Sequence, residues 1–516
     1  MKRKKWFILA GLSAVLLILP WYQAFSGVIL FIAFIPLLFI ERQLYEQRNS
    51  VKSIQALFWS YLVFFIWNLC TTYWIINATF FGVVAAVVLN ALFMAIPFWL
   101  FHITHRKLGH RYGYFSFIAY WTGFEYIYLN VDISWPWLNL GNGLAKDIGL
   151  IQWFEFTGST SATPWILFIN VLIFILLSEF IVFRSIRKRL FELVVLIVVV
   201  GFPIAVSLIM FHTYEEPEDP YSIVVVQPNI DPYNDRYTGL TNQEQLDIFL
   251  NLADSLTDLQ TDYVVGPEAA LDDNIWENQI LSNRSIQRLK EFVNPYPELK
   301  VIIGVTSFYE YGHGEIPSKT SRKFKDSDRR YDVYNTSIQV DRTDQIQVYH
   351  KSKLVIGVEK MPFPWLFRGL EKFIVRLGGA TGSYGTQDER TVFTEPGGPA
   401  RVGTMICYES VYGSFVADYV KAGANLLFVI TNDGWWGDTP GYKQHLTYSS
   451  LRAIETRRSI ARSASTGISC FINQKGEILQ PTDFGESDAI KAQVNANSEP
   501  TYYVRHGDFV SRIILF

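Results

Sequence analysis

Three residues in the second half of the chain combine into one chemistry. Glu268 follows Tyr263-Val264-Val265-Gly266-Pro267, Lys351 follows Ile346-Gln347-Val348-Tyr349-His350, and Cys407 follows Val402-Gly403-Thr404-Met405-Ile406. Each sits just beyond a short run of strand character, and α/β folds display their reacting groups at strand ends. Taken singly, a glutamate in a turn is commonly a cap, a lysine after a strand is commonly solvated, and a cysteine after an apolar strand is commonly core. Taken together they supply a base, a cation and a nucleophile, the minimum for acyl transfer through a thioester. A thiol of ordinary pKa, about 8.5, is only a few per cent thiolate at neutral pH, so it needs a neighbouring base, and Glu268 can be that base. Lys351 and the backbone N–H after Cys407 then meet the developing oxyanion. Cys70, Cys407 and Cys470 are an odd number at wide spacing, which is neither a disulfide framework nor a CxxC metal site. No cofactor or metal is expected.

These groups need a frame. From Tyr221 onward, short β-branched runs alternate with helical stretches, which predicts a layered sheet-and-helix domain. Strands are expected over 222–227, 263–265, 300–305, 337–341, 345–350, 400–406, 426–431 and 467–473, and helices over 242–259, 285–292 and 443–456. The stretch between Tyr309 and Arg330, with Lys319, Arg322, Lys323 and Lys325, reads as a solvated insertion.

The first 212 residues are of another kind. They carry 15 Lys/Arg and 8 Asp/Glu, against 30 and 40 in the rest of the chain. With 50% hydrophobic and 18% charged residues overall, the chain is too apolar for one ordinary soluble domain. A net charge of −3 gives no reason to expect a nucleic-acid partner. Apolar runs at 6–22, 24–40, 54–77, 80–103, 114–131, 163–183 and 190–211 each approach the ~20 residues that cross a bilayer. Residues 1–212 are therefore expected to form a membrane domain of seven transmembrane helices. Lys2 to Lys5, then Arg42, Arg48 and Lys52, then Arg106, Lys107 and Arg111, then Arg184 to Arg189 occupy every other loop, and the intervening loops hold Lys146 alone. The positive-inside rule then places the N-terminus in the cytoplasm, and an odd count of spans places residue 213 onward outside. Glu125, inside the fifth span, must face protein or a polar cavity. The loop of Trp135, Trp137 and Trp153 suits a membrane interface or a lipid access path.

The site motifs resemble a known family. Gly266-Pro267-Glu268, Tyr349-His350-Lys351-Ser352-Lys353-Leu354-Val355 and Ile406-Cys407-Tyr408-Glu409 are similar, in matching order, to the Glu-Lys-Cys triad of the nitrilase (carbon-nitrogen hydrolase) superfamily. Thr431-Asn432-Asp433-Gly434-Trp435-Trp436-Gly437-Asp438, Gln444-His445 and Arg452-Ala453-Ile454-Glu455, behind several membrane spans, resemble its membrane-fused branch, the apolipoprotein N-acyltransferase family. The resemblance implies a polytopic α-helical membrane domain followed by an α/β nitrilase-like αββα sandwich domain. It implies a catalytic domain over 213–495 on the periplasmic face of the bacterial inner membrane, and a segment 496–516 leading back to the membrane. The implied activity moves an acyl chain from a phospholipid, through a cysteine thioester, to the N-terminal amine of a diacylglyceryl-cysteine lipoprotein or lipopeptide. Glu268, Lys351 and Cys407 carry that chemistry, with Glu359, Tyr408 and Glu409 in support. A membrane-anchored amidase that uses water as acceptor would keep the same triad, but one span would anchor it where seven are expected.

The chain departs from the family pattern in places. Gly266 stands where the family usually has Trp, Ile356-Gly357-Val358 replaces Pro-Phe-Gly before Glu359, and Tyr237 is the nearest aromatic to a Trp expected after the first strand. Ile513-Ile514-Leu515-Phe516 falls where the family's last membrane helix would begin. At roughly 0.8 kcal/mol per buried CH₂, drawing a 16-carbon chain wholly into water costs on the order of 12 kcal/mol, so such a site must open to lipid. The arm Met361-Pro362-Phe363-Pro364-Trp365-Leu366-Phe367 is expected to dip into the outer leaflet, and Trp435 and Trp436 are candidates to cap the site against water. His445, Arg452, Glu455 and Arg462 are expected to be structural ion pairs, Cys470 core and Cys70 membrane packing.

Overall fold

The structure, a computed structural model, describes residues 3–185, 187–233, 239–325, 327–360, 383–394 and 398–516. It separates into two compact units. Met1–Ile76, Phe81–Tyr214 and His506–Phe516 form the first, and Asn77–Phe80 with Glu215–Arg505 the second. Tyr237 and the arm around Trp365 lie outside the described residues.

Among the described residues, six helices in the first unit are long and apolar enough to cross a membrane: Lys4–Trp21, Gly27–Glu46, Ile54–Thr72, Gly82–Asn130, Ser159–Phe183 and Arg187–Thr213. The fourth has 49 residues, about 74 Å at 1.5 Å per residue, more than twice the ~30 Å hydrocarbon core. It is two passes. Gly109, at φ 78° and ψ −176°, interrupts the helical backbone, a conformation that glycine adopts without a Cβ clash. Beyond it the chain doubles back, so that Phe117 meets Phe101 at 5.1 Å and Phe98 at 5.7 Å, and Tyr128 meets Phe93 at 6.0 Å. The loop expected over 104–113 is thus a single-residue break between helices that run to its edges. The first two passes are likewise a full-length hairpin, with Trp6 Nε1 donating to Gln43 Oε1 at 2.7 Å and Ser13 Oγ to the Ala33 carbonyl at 2.6 Å. This chain is a multi-pass membrane protein.

Glu125 faces protein as its cost in lipid demands. It is buried and accepts from Trp121 Nε1 and the Leu140 N–H, each at 3.0 Å, and from Thr163 Oγ1. The indoles of the long loop pack on one another within the unit: Trp135 stacks on Trp137 at 5.3 Å, and Trp137 tilts against Trp74 at 5.0 Å. The C-terminal helix Phe509–Leu515 also belongs here; Leu515 closes on Gly123, and Asp508 accepts from Thr160 Oγ1 at 2.8 Å.

The second unit is built on two sheets. Its strands are β1 (Pro220–Gln227), β2 (Tyr263–Val265), β3 (Leu271–Trp276), β4 (Lys300–Glu310), β5 (Arg322–Lys323), β6 (Arg330–Val340), β7 (Gln347–His350), β8 (Val392–Thr394), β9 (Arg401–Ile406), β10 (Leu426–Thr431), β11 (Ile460–Ala464), β12 (Cys470–Ile472), β13 (Ile478–Leu479) and β14 (Asp488–Asn495). One sheet runs β14-β1-β2-β4-β6-β5, with β3 beside β4 and β7 beside β6; the other runs β13-β12-β11-β10-β9-β8. Alternation in the first sheet sends Val224, Val226, Val264, Val301, Ile303 and Val305 outward onto Leu246, Phe249 and Ala253 of helix Asn242–Leu256 and onto Ile286, Leu289 and Val293 of helix Arg284–Val293. The inner faces meet, with Tyr263 edge-on to Phe428 at 5.4 Å and Ser463 Oγ donating to the Val226 carbonyl at 2.7 Å. Helices Gly413–Lys421 and Pro440–Thr456 pack on the second sheet, completing an αββα sandwich. β10, parallel to both neighbours, is buried along its whole length, as a doubly covered central strand must be.

Candidate active site

Glu268 is fixed by its turn before its side chain is considered. The Gly266 N–H donates to the Ile302 carbonyl at 2.8 Å, and the Gly304 N–H to the Pro267 carbonyl at 3.0 Å, so the turn after β2 is stitched to β4. Gly304 is required there, since a Cβ would stand 2.6 Å from the Glu268 Cα and 2.5 Å from the Ala269 N. Gly266 explains its own departure from the family pattern: a Cβ would lie 2.7 Å from the Phe249 ring and 2.8 Å from Ile303, which leaves no room for an indole.

Lys351 follows β7, and its N–H donates to the Asn335 carbonyl on β6 at 2.8 Å. Its ammonium lies 2.9 Å from Glu268 Oε1 and 2.9 Å from Glu359 Oε1. Asn335 Nδ2 donates to the same two oxygens, at 2.7 and 2.8 Å. All four side chains are buried. Glu268 Oε2 accepts from the Asn432 N–H at 3.2 Å, and Glu359 Oε2 from the Val355 N–H at 2.8 Å. The Cys407 thiol faces Glu268 and Thr431. Sequence reasoning thus placed Glu268, Lys351, Glu359 and Cys407, and the structure brings all four together.

Burial pushes the Glu268 carboxyl up, but the Lys351 ammonium and hydrogen bonds from Lys351 and Asn335 outweigh it, and its pKa falls below the ordinary glutamate value. Burial opposes the Lys351 charge, yet Glu268 and Glu359 hold that lysine well above its usual value. Burial and the Glu268 charge push the Cys407 thiol well up, against the pull of Lys351. The resting cluster is therefore thiol, carboxylate and ammonium, with an ionised carboxylate beside a protonated thiol.

Cys407 itself sits at φ 53°, a left-handed conformation that a non-glycine residue holds only when its surroundings impose it. Those surroundings are visible. The Cys407 carbonyl accepts from Ser410 Oγ at 2.8 Å and lies 3.1 Å from His445 Nε2. His445 Nδ1 lies 3.0 Å from Asp433 Oδ1, and Arg462 Nη2 donates to Asp433 Oδ2 at 2.6 Å. Glu409 clamps the nucleophile turn to the lysine segment: Oε2 accepts from the Ile406 N–H at 2.8 Å, while Oε1 accepts from the Ser352 N–H at 2.6 Å and Tyr349 Oη at 2.7 Å. Tyr408 is buried, with its ring edge-on to Tyr412 at 5.2 Å. Trp435 and Trp436 are partly buried; Trp436 lies edge-on to His445 at 5.4 Å, and Trp435 edge-on to Tyr233 at 5.2 Å. Arg452 pairs with Glu455 at 3.1 Å in the core, and Cys470 is core.

Sequence reasoning missed Asn335, whereas His445 and Arg462, expected as structural ion pairs, both meet Asp433 behind Cys407. Residues 223–503 match the family of carbon-nitrogen hydrolases. The chain belongs to that family. Residues 13–172 match the apolipoprotein N-acyltransferase N-terminal domain, so the likeness reaches into the membrane unit. The chain is similar to the apolipoprotein N-acyltransferase of Chlorobaculum tepidum, 28% identical over 88% of this chain and 85% of that protein. It is 25% identical to that of Geobacter metallireducens, over 97% and 92% of the two chains, and 25% identical to that of Thermotoga maritima, over 97% and 90%. Glu268, Lys351 and Cys407 all lie within the matched residues.

Proposed function

We propose that this protein is an N-acyltransferase that moves an acyl chain from a phospholipid to the N-terminal amine of a diacylglyceryl-cysteine lipoprotein, with Cys407 as the carrier. The observation that carries the reading is the buried Glu268–Lys351 pair facing Cys407, in a chain whose relatives across both units are named apolipoprotein N-acyltransferases. Cys407 Sγ attacks the ester carbonyl carbon of the donor as Glu268 takes the thiol proton. Lys351 Nζ and the backbone N–H of Tyr408 stabilise the oxyanion. Collapse expels the lysophospholipid oxygen, which receives the proton from Glu268 and leaves a thioester on Cys407. The acceptor amine then attacks the thioester, Glu268 takes the amine proton, and collapse returns that proton to the leaving thiolate. Glu359 and Asn335 hold Lys351 and Glu268 in register without touching the reacting atoms.

The chain sits in the bacterial inner membrane with its N-terminus in the cytoplasm and the catalytic unit outside. Loop charge supports this orientation, since Arg42 to Lys52, Arg106 to Arg111 and Arg184 to Arg189 fall on one side of seven passes. The test is the intact mass of detergent-solubilised protein exposed to phospholipid alone, then to a diacylated lipopeptide or to water alone. One acyl group on Cys407, discharged by the lipopeptide much faster than by water, is expected. An adduct that water clears as fast as the lipopeptide would make the protein an amidase-type hydrolase.

A further inference from the structure

The membrane unit contains a cavity of about 920 Å³ that the acyl-transfer chemistry does not use. Its walls are apolar over most of their length, formed by Phe115, Ile118, Trp165, Phe168, Phe174 and Ile175 among others. At about 30 Å³ for a water-sized group, the volume holds on the order of 30 methylenes, two long acyl chains. One end is different. Arg42, His110, Arg111 and Arg189 line it, and they come from the ends of helices that adjoin the arginine-rich loops.

Arg111 stands apart from the other basic groups at that end. Arg189 pairs with Glu192 at 2.7 Å and lies 3.6 Å from Glu179, the acidic residue among the lining groups. Arg42 pairs with Glu46 at 3.1 Å on the exposed side, whereas no carboxylate among the described residues pairs with Arg111. A second observation is independent of charge. Ser178 lines the same cavity, is only 6% exposed, and its Oγ has no hydrogen-bond partner. In a membrane interior no bulk water pairs such a hydroxyl, so its partner must come from whatever fills the space.

We propose that this cavity is a binding site for an anionic glycerophospholipid drawn from the leaflet on the side of the arginine-rich loops. The two acyl chains fill the apolar slot, an ester carbonyl accepts from Ser178 Oγ, and the phosphate and anionic headgroup lie against Arg111, Arg42 and Arg189. A basic pocket between membrane helices recognises headgroup charge in this way. The site is separate from the acyl-transfer site and does not depend on that function.

Native mass spectrometry of the full chain, delipidated in neutral detergent, tests it. A Cys407→Ala background removes acyl transfer from the readout. The protein is titrated with phosphatidylglycerol and with phosphatidylcholine of the same chain lengths. One phosphatidylglycerol held at least tenfold more tightly than phosphatidylcholine is expected, and Arg42→Gln with Arg111→Gln should bring that ratio close to one. Arg111 is exposed and Arg42 partly exposed, so the paired variant should fold. Ala119→Phe, which projects into the slot, should weaken both lipids about tenfold, and glycerol phosphate without acyl chains should not compete. Equal retention of the two lipids, or a preference that survives loss of both arginines, would overturn the assignment.

Discussion

Lys351→Met removes one side chain but two functions, and the size of its effect follows from the geometry. The ammonium lies 2.9 Å from each of two carboxylates that are about nine-tenths buried. Each contact represents roughly 6 kcal/mol of gross attraction at an effective dielectric near 20, and breaking a buried pair of this kind costs about 3–5 kcal/mol net. Two neighbouring carboxylates left without a cation cannot both stay ionised, so they come to share a proton. A protonated Glu268 no longer accepts the Cys407 proton. Loss of the oxyanion cation alone is worth about 3 kcal/mol, hundreds-fold in rate, and loss of the base raises the total to about a thousandfold or more at neutral pH. The assay is the rate of acyl-enzyme formation by intact mass with phospholipid in excess. Raising the pH should recover the part caused by protonation. Adding Glu359→Gln to Lys351→Met should also recover part, because it removes one of the competing carboxylates. A near-normal acylation rate, or a deficit of the same size at pH 6 and pH 9 and with Glu359→Gln, would refute this account of the site.

Cys407→Ala should abolish the acyl-enzyme, while Cys70→Ala and Cys470→Ala leave it intact; acylation of the Cys407→Ala protein would remove the nucleophile assignment. Asn335→Leu should slow acylation at least tenfold, because Glu268 and Glu359 each lose a charge-assisted hydrogen bond worth about 1.5–3 kcal/mol; an unchanged single-turnover rate would show that Asn335 only packs. Glu268 is held below its ordinary value, so its base form is lost only as pH falls through the acid range, and the raised values of Lys351 and Cys407 keep ammonium and thiol present to high pH. Acylation should therefore be flat from about pH 6 to 9, whereas transfer to a lipopeptide should rise through the α-amine pKa of about 8; stopped-time mass measurements across pH distinguish the two steps, and an acylation limb near pH 7 would contradict the triad. For orientation, a cysteine at the exposed position Ile316, in a Cys70→Ala, Cys470→Ala background, should react with an impermeant maleimide on cells stripped of any outer barrier, and one at Ser50 only after lysis; the reverse pattern would place the catalytic unit in the cytoplasm.

The parts of the site that announced themselves were those where residue type and local pattern coincide. Glu268, Lys351 and Cys407 each stand just beyond an apolar strand, and those strands fall where alternation and β-branching put them, with Tyr263–Val265 and Leu426–Thr431 matching to the residue. Elements built from mixed or polar sequence were not legible. β11, Ile460–Ala464, carries Arg462 and Ser463 into the core, and its polarity reads as surface until Asp433 is known to wait for the guanidinium. β14, Asp488–Asn495, is an edge strand with charges along it. Asn335 escaped because the strand was expected to begin at 337, although β6 begins at Arg330 and runs polar through Asn335-Thr336-Ser337 while remaining buried. Buried polar residues in one strand are a signal of a site, but burial is not visible in one sequence. In the membrane unit, hydropathy located the passes, while the single-residue reversal at Gly109 depends on a backbone angle that hydropathy does not carry.

Under the proposed function, the arrangement also accounts for how a cysteine this deeply buried would react. Its thiol is held protonated by the same burial that makes the Glu268–Lys351 pair strong, so reactivity cannot come from a free thiolate and must come from placement. Placement is supplied from both sheets. β2, β6 and β7 of one sheet deliver the carboxylate, the amide and the ammonium, and β9 and β10 of the other deliver Cys407 and the Thr431-Asn432-Asp433 turn. Glu409 ties the two together, since one carboxylate receives N–H groups from Ile406 beside the nucleophile and from Ser352 beside the lysine. The left-handed backbone of Cys407 is held from behind by Ser410 and by His445, which rests on the buried Asp433–Arg462 pair. In the proposed reaction, proton transfer from thiol to carboxylate would then need only the arrival of an ester whose oxygen draws charge toward Lys351. In such a site the costly part of catalysis, ordering the base, cation and nucleophile, is complete before the lipid enters.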